Sequence, residues 1–226
     1  MNITFYGHAC FGVEIDGVNL LFDPFISPNP LASQIDIDAI PADFILLSHG
    51  HEDHVADVEV IAKRTGATLV GAFEVVSWFG AKGIEKFHPM NIGGSWNFDF
   101  GTVKCVNAIH TSSMPDGSYG GAPLGFIVKT SAGNFYYSGD TALTLDMQLL
   151  ADDELEFAML CMGDNFTMGI EDAVKAASLI ECDEIIGMHF DTFGYIKIDH
   201  DQAKSAFSSA GKNLKLPSIG ETFTMP

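Results

Sequence analysis

The chain is poor in positive charge. Only 11 lysines and arginines stand against 30 aspartates and glutamates, a formal net charge of −19 over 226 residues. The few basic residues are not gathered into a patch, so repulsion argues against a nucleic-acid partner or an anionic membrane. Cysteine is scarce too. Cys10, Cys105, Cys161 and Cys182 are widely spaced with no C-x-x-C pair, which argues against a zinc knuckle or a redox dithiol and for buried, reduced thiols. No uninterrupted apolar run is long enough to span a bilayer. The opening Met1-Asn2-Ile3-Thr4-Phe5-Tyr6 has neither the basic start nor the apolar core of a secretion signal, and a cytoplasmic location is the expectation. With 47% hydrophobic and 18% charged residues the composition is that of a globular chain able to bury a sizeable core, its acidity serving solubility. Bound divalent cations would change the local sign of that charge.

What is present is an alternation of short strands and helices. Ile3 to Tyr6, Phe11 to Ile15 and Val18 to Phe22 read as strands, the last two joined by Asp16-Gly17, the strongest short hairpin signal. Pro28, Pro30 and Pro41 punctuate a loop over 26–41. The apolar run Phe44 to Leu47 reads as a buried strand, followed by helical spacing at Val55, Val58, Ile61 and Ala62, a stop at Gly66, and a strand from Ala67 to Val70. Short strands return over 84–109, with a turn at Phe98-Asp99-Phe100-Gly101. A hairpin over Leu124 to Thr130 and Asn134 to Tyr137 then delivers Ser138-Gly139-Asp140. The last third predicts a helix near Thr144 to Leu150, a strand at Phe157 to Leu160, a helix over Ile170 to Ile180, a strand from Glu184 to Met188 and a helix from Asp199 to Ala210. Strands in each half with helices between them predict an α/β fold of two sheets packed face to face and covered outside by helices. With no linker or low-complexity tract, 1–226 reads as one domain.

The chemistry is concentrated in His49-x-His51-x-Asp53-His54, three imidazoles and a carboxylate within six residues directly after the buried strand. Four such ligands on one tight loop can serve two metals, and nitrogen and oxygen donors suit zinc, with manganese or iron as alternatives. His110, Asp140 and His189 each stand just past a predicted strand, where side chains from distant parts of the chain converge on one rim.

This motif, followed by His110, Ser138-Gly139-Asp140-Thr141 and Met188-His189, resembles the metallo-β-lactamase superfamily over nearly the whole chain. Gly7-His8-Ala9-Cys10-Phe11, Leu21-Phe22-Asp23-Pro24 and Met162-Gly163-Asp164-Asn165-Phe166-Thr167-Met168-Gly169 are similar to a cytoplasmic branch of metal-dependent hydrolases related to the ascorbate-6-phosphate lactonases. The resemblance implies a four-layer αββα sandwich, one metal held by His49, His51 and His110, a second by Asp53, His54 and His189, and Asp140 as the bridge. It implies that Asp23 supports the metal loop by accepting an imidazole proton, the competing reading being a turn-forming Asp-Pro. Asp140 stands where true β-lactamases usually carry cysteine, which points to lactone, ester, thioester or phosphoester hydrolysis.

Two divalent cations sharing a water bring its pKa toward neutrality, so the expected activity is hydrolysis of a small-molecule substrate by a metal-bridging hydroxide. Asp53 is the candidate to orient that nucleophile and receive its proton. His8 reads either as a substrate contact or proton donor, or as a hydrogen-bonded turn histidine. Asn165 and Thr167, ahead of a helix beginning near Gly169, are candidate substrate contacts, with capping as the bland role for Thr167. His88 and His200 read as structural or surface residues, and Trp78, Phe79, Trp96, Phe98 and Phe100 as core. The alternatives are an RNA nuclease of the same superfamily, disfavoured by the charge, and a non-catalytic metal- or ligand-binding protein, disfavoured by the filled ligand set. Relatives of the lactonase type are often homo-oligomers.

Overall fold

Asp16 and Gly17 both take positive φ, 50° and 85°, the primed-turn geometry that folds two strands back on each other, and Ile15 pairs with Val18 across them. This is the first hairpin of the computed structural model, which describes residues 1–225. Strands β1 (Asn2–Gly7), β2 (Cys10–Ile15) and β3 (Val18–Phe22) run antiparallel, and β4 (Phe44–Leu47) lies parallel to β3. Helices α1 (Glu52–Val55) and α2 (Val58–Thr65) then lead through Gly66, left-handed at φ 72°, to β5 (Thr68–Ala72), α3 (Phe73–Gly80) and β6 (Phe87–Met90). The second half repeats this order. β7 (Ser95–Phe98), β8 (Gly101–Asn107), β9 (Leu124–Thr130) and β10 (Gly133–Tyr137) are antiparallel. Then β11 (Phe157–Cys161), α4 (Ile170–Leu179), β12 (Glu184–Met188), α5 (His200–Ser209) and β13 (Asn213–Lys215) continue the sheet in parallel. β14 (Thr222–Thr224) returns to pair with β1.

Two seven-stranded sheets result, ordered β14-β1-β2-β3-β4-β5-β6 and β13-β12-β11-β10-β9-β8-β7. Their inner faces meet in an aromatic layer. Phe22 of the first sheet stacks on Tyr137 of the second at 4.8 Å between ring centroids and meets Phe135 edge-on at 6.0 Å. Helices cover the outside with small buried residues that permit close approach, Ala173, Ala176 and Ala177 on α4 and Ala203 on α5. The architecture is the four-layer αββα sandwich that the alternation of elements predicts. All four cysteines are buried and free, and burial pushes the thiols of Cys161 and Cys182 up to about 11. Among the described residues no helix is long and apolar enough to cross a membrane.

The helix expected near Thr144 to Leu150 is a 3-10 helix, Leu145–Asp153; its buried residues Met147, Leu150 and Asp153 recur every third position, the 3-10 period. The helix Phe73–Gly80 was not foreseen, because its Phe, Val and Trp content is that of a strand and its N-cap, Ala72, offers no side-chain hydrogen bond. Trp96 is 53% exposed on an edge strand instead of in the core.

Phe135 is fully buried and also stacks on Phe157 at 5.0 Å. Phe135→Ala should therefore cost about 3–5 kcal/mol in urea-induced unfolding. Trp96→Ala should stay within about 1 kcal/mol in the same measurement.

Candidate metal centre

Six strands end on the same edge of the sandwich. β1, β3 and β4 run in one direction, and so do β8, β10 and β12, as the pairings require. The residues that follow their C-terminal ends are His8, Asp23, His49, His110, Asp140 and His189. Topology thus collects side chains separated by as much as 181 residues onto one rim, since His189 and His8 differ by 189 − 8 positions. Three of them, His8, Asp23 and His189, sit in left-handed backbone at φ 56°, 41° and 57°. Such conformations cost about 1–3 kcal/mol each and persist only where the surroundings fix them. One fixing contact crosses the sandwich, the His189 amide donating to the His8 carbonyl at 2.8 Å. Gly139, at φ 56°, lets the Asp140 turn close on the metal loop; a Cβ there would lie 2.6 Å from the Leu124 carbonyl oxygen and 2.8 Å from Ser48 Cβ.

Asp23 organises the loop. Fully buried, its Oδ1 accepts from the Ser48 amide (2.8 Å), while Oδ2 accepts from the Ser48 hydroxyl (2.5 Å), His54 Nδ1 (2.8 Å) and the Tyr137 hydroxyl (2.8 Å). The turn reading of Asp23-Pro24 is therefore incomplete; the carboxylate does the work expected of an imidazole support. Because His54 donates from Nδ1, its Nε2 lone pair faces inward. The same logic runs through Ser48. Its hydroxyl proton goes to Asp23, so its oxygen accepts from His49 Nδ1 at 2.9 Å and His49 also presents a lone pair at Nε2.

Two donor groups follow. The ligand atoms of His49, His51 and His110 lie within 4.8 Å of one another, as do those of His8, Asp53, His54 and His189. Asp140 stands between them: its Oδ2 is 2.8 Å from His189 Nε2, 3.3 Å from His54 Nε2 and 3.7 Å from His110 Nε2. Among the described residues, His54 Nε2, His189 Nδ1 and Asp140 Oδ1 are buried without a hydrogen-bond partner, while His189 Nε2 faces the Asp140 and Asp53 carboxylates. Orphaned donor atoms converging in this way are what a cation would satisfy. Burial opposes charge on His189, but the Asp140 and Asp53 carboxylates outweigh it and raise the imidazole to about 9. His54 is likewise raised against its burial, by Asp140, Asp53 and Asp23. His49, His51 and His110 are lowered, chiefly by burial, and stay neutral, the form that binds a metal. Asp53 and Asp140 are held below the usual carboxylate range, the surrounding imidazoles outweighing burial.

The seven positions read as ligands are thus brought together, whereas the other candidates divide. His8 is 1% exposed and does not line the cleft; its Nε2 meets Asp53 Oδ2 at 3.1 Å and its Nδ1 the Thr192 hydroxyl at 3.0 Å. Burial, followed by the His189 charge, depresses it to about 4. The geometry is that of the hydrogen-bonded histidine of the two readings, its Nε2 donating to Asp53. Asn165 is exposed and Thr167 spends its hydroxyl on the Met168 carbonyl, neither lining the cleft nor capping α4. The residue between them, Phe166, does line it, with Thr111 and Phe193, above a floor of His51, Asp53, His110, Asp140 and His189. Sequence reasoning missed all three wall residues, because an aromatic or a threonine in a loop carries no spacing signal. His200 caps a surface contact with Asp191 at 2.7 Å, and His88 lies in β6.

Asp23→Asn should set an amide against three donors and cost at least about 3 kcal/mol in urea unfolding of metal-free protein. It should also weaken metal affinity about 10- to 100-fold in chelator competition. Tyr137→Phe removes one of the four hydrogen bonds and should cost about 1–2 kcal/mol.

A family model described as the beta-lactamase superfamily domain matches residues 18–190. Along its full length the chain is 53% identical to a UPF0173 metal-dependent hydrolase of Flavobacterium johnsoniae, which it covers entirely, and 54% identical to one of Christiangramia forsetii, also covered entirely. A solved metallo hydrolase from the hyperthermophilic archaeon Ignicoccus hospitalis superposes with a TM-score of 0.89 at 31% identity, covering 98% of this chain and 97% of the other. An isothiocyanate hydrolase from Delia radicum gut bacteria, 17% identical, shares the fold at a TM-score of 0.79 over 99% of this chain and 98% of its own. On these matches the chain belongs to the metal-dependent hydrolases of the beta-lactamase superfamily, in the UPF0173 family.

Proposed function

We propose that the protein is a dinuclear hydrolase of a small ester, lactone or phosphoester. One divalent ion is assigned to His49, His51 and His110, a second to Asp53, His54 and His189, with Asp140 shared. The observation that supports this reading is the pair of donor groups meeting at Asp140, whose own Oδ1 is buried and unpartnered. Nitrogen and oxygen donors with no cysteine among them suit zinc, manganese or iron. Bound there, the ions would supply Lewis acidity and lower the pKa of a water.

The chain's own residues do the rest. His51, Asp53, His110, Asp140 and His189 line a cleft of about 300 Å³ through which a substrate reaches the centre. His49 and His54 lie beneath it, out of solvent. Asp53, 28% exposed at its side chain, is the floor carboxylate open to a water and to substrate. The attacking water donates to Asp53, its oxygen forms the new bond to the carbonyl carbon or phosphorus, and the bond to the leaving oxygen breaks as that oxygen takes up the proton. His8 keeps Asp53 in place by donating from Nε2, while Thr192 fixes the His8 ring from the other side.

Metal analysis of the purified protein should find close to two transition-metal ions per chain; one or none overturns the dinuclear reading. Asp140→Ala should abolish turnover of an ester or phosphodiester probe while circular dichroism shows the fold intact, and full activity in that variant would remove Asp140 from the centre.

A further inference from the structure

The walls of the cleft differ in kind from its floor. Phe193 is packed in place, edge-on to His8 at 5.3 Å and 6.2 Å from Phe25 between ring centroids. Phe166 stands opposite solvent, 51% exposed, on a turn whose Asp164 and Asn165 adopt left-handed φ of 61° and 49°. That turn is anchored to the metal centre: the Met168 amide donates to the carbonyl of Thr141, next to Asp140, at 3.0 Å, and the Asp164 amide to the Met168 carbonyl at 2.9 Å. Folding gains little from a phenyl ring left half in water, and the backbone that presents it is strained. Both features place an apolar surface at the mouth of the cleft.

Among the described residues, no lysine or arginine lines the cleft. Lys197, on the segment after Phe193, opens instead onto a separate hollow of about 420 Å³ whose lining includes Asp164, Glu171, Asp172 and Asp199. An anionic group on the substrate, away from the reacting centre, would meet no counter-charge and would lose its hydration to a phenyl-lined wall.

Resting on the hydrolase reading above, we propose that the part of the substrate remote from the scissile bond is an uncharged apolar group held between Phe166 and Phe193. The specificity is set by these two rings, and a substrate carrying a second, remote phosphate or carboxylate is rejected. A phenyl-sized group there gains burial and edge contacts with both rings. Charge is then tolerated only at the reacting centre.

The test uses metal-loaded protein and three methyl esters that share a leaving group: methyl phenylacetate, methyl acetate and monomethyl succinate, followed by acid release in a pH-stat. Methyl phenylacetate should have the highest kcat/KM and monomethyl succinate the lowest, through KM. In Phe166→Ala and in Phe193→Ala the phenylacetate-to-acetate ratio should fall about tenfold, in keeping with the loss of one aromatic contact and its buried area. Phe166→Lys should shift preference toward monomethyl succinate. Preference of the native protein for monomethyl succinate, or an unchanged ratio in both alanine variants, overturns the proposal. Failure of the hydrolase reading looks different, as no turnover of these esters or of a lactone or phosphodiester probe. Calorimetry with phenylacetamide and succinamate then decides: phenylacetamide bound more tightly, and weakened by both alanine substitutions, supports the apolar site, while equal binding or none rejects it.

Discussion

A single buried carboxylate, Asp23, holds the centre together. It receives hydrogen bonds from the end of β4, from a helix of the metal loop and from Tyr137 of the opposite sheet. A buried carboxylate is tolerable only when its oxygens are filled, and here the filling groups are those that must be oriented. The imidazole of His54 and, through Ser48, that of His49 are fixed with their lone pairs inward. One imidazole of each donor group, His49 and His54, thus takes its tautomer from a single residue that is out of solvent.

The remainder of the centre depends on the two sheets being in register with each other. Asp140 and His189 come from the second sheet, His49 to His54 from the first, and the close approach at Gly139 together with the His189-to-His8 hydrogen bond sets the distance between them. Orphaned nitrogens and carboxylate oxygens at that junction are a cost to the folded chain, carried because a cation can be received there. The Asp140 and Asp53 carboxylates at that junction raise His54 and His189 against their burial, whereas burial dominates at His49 and lowers it.

Much of this was legible in the sequence because side chains that could hold a metal obey spacing and placement. His49, His51, Asp53 and His54 announce themselves by proximity, and His110, Asp140 and His189 by standing after apolar runs. Asp23 was legible for the same reason, being at a strand end. His8 was half legible: its location was clear, but whether it faced the cleft or the back of Asp53 depends on a left-handed turn and on Thr192, a partner 184 residues away. Phe166, Phe193 and Thr111 were not legible, since a wall residue is defined by the cavity it borders. The neighbouring Asn165 and Thr167 lie outside the lining of the cleft, since a polar side chain in a loop can spend its hydrogen bonds on that loop, as Thr167 does. In the fold itself, Phe73–Gly80 was hidden by a composition that favours strands, and only its packing beside β5 and β6 makes it helical.

The placement of the donor groups across two sheets ties the protein's persistence to its mineral supply. A ligand that binds only the folded chain stabilises it by about 2.7 kcal/mol when its free concentration is a hundred times its dissociation constant. Here that ligand would bridge the two halves of the sandwich, and a chain deprived of it would lack the brace and open more often to proteases.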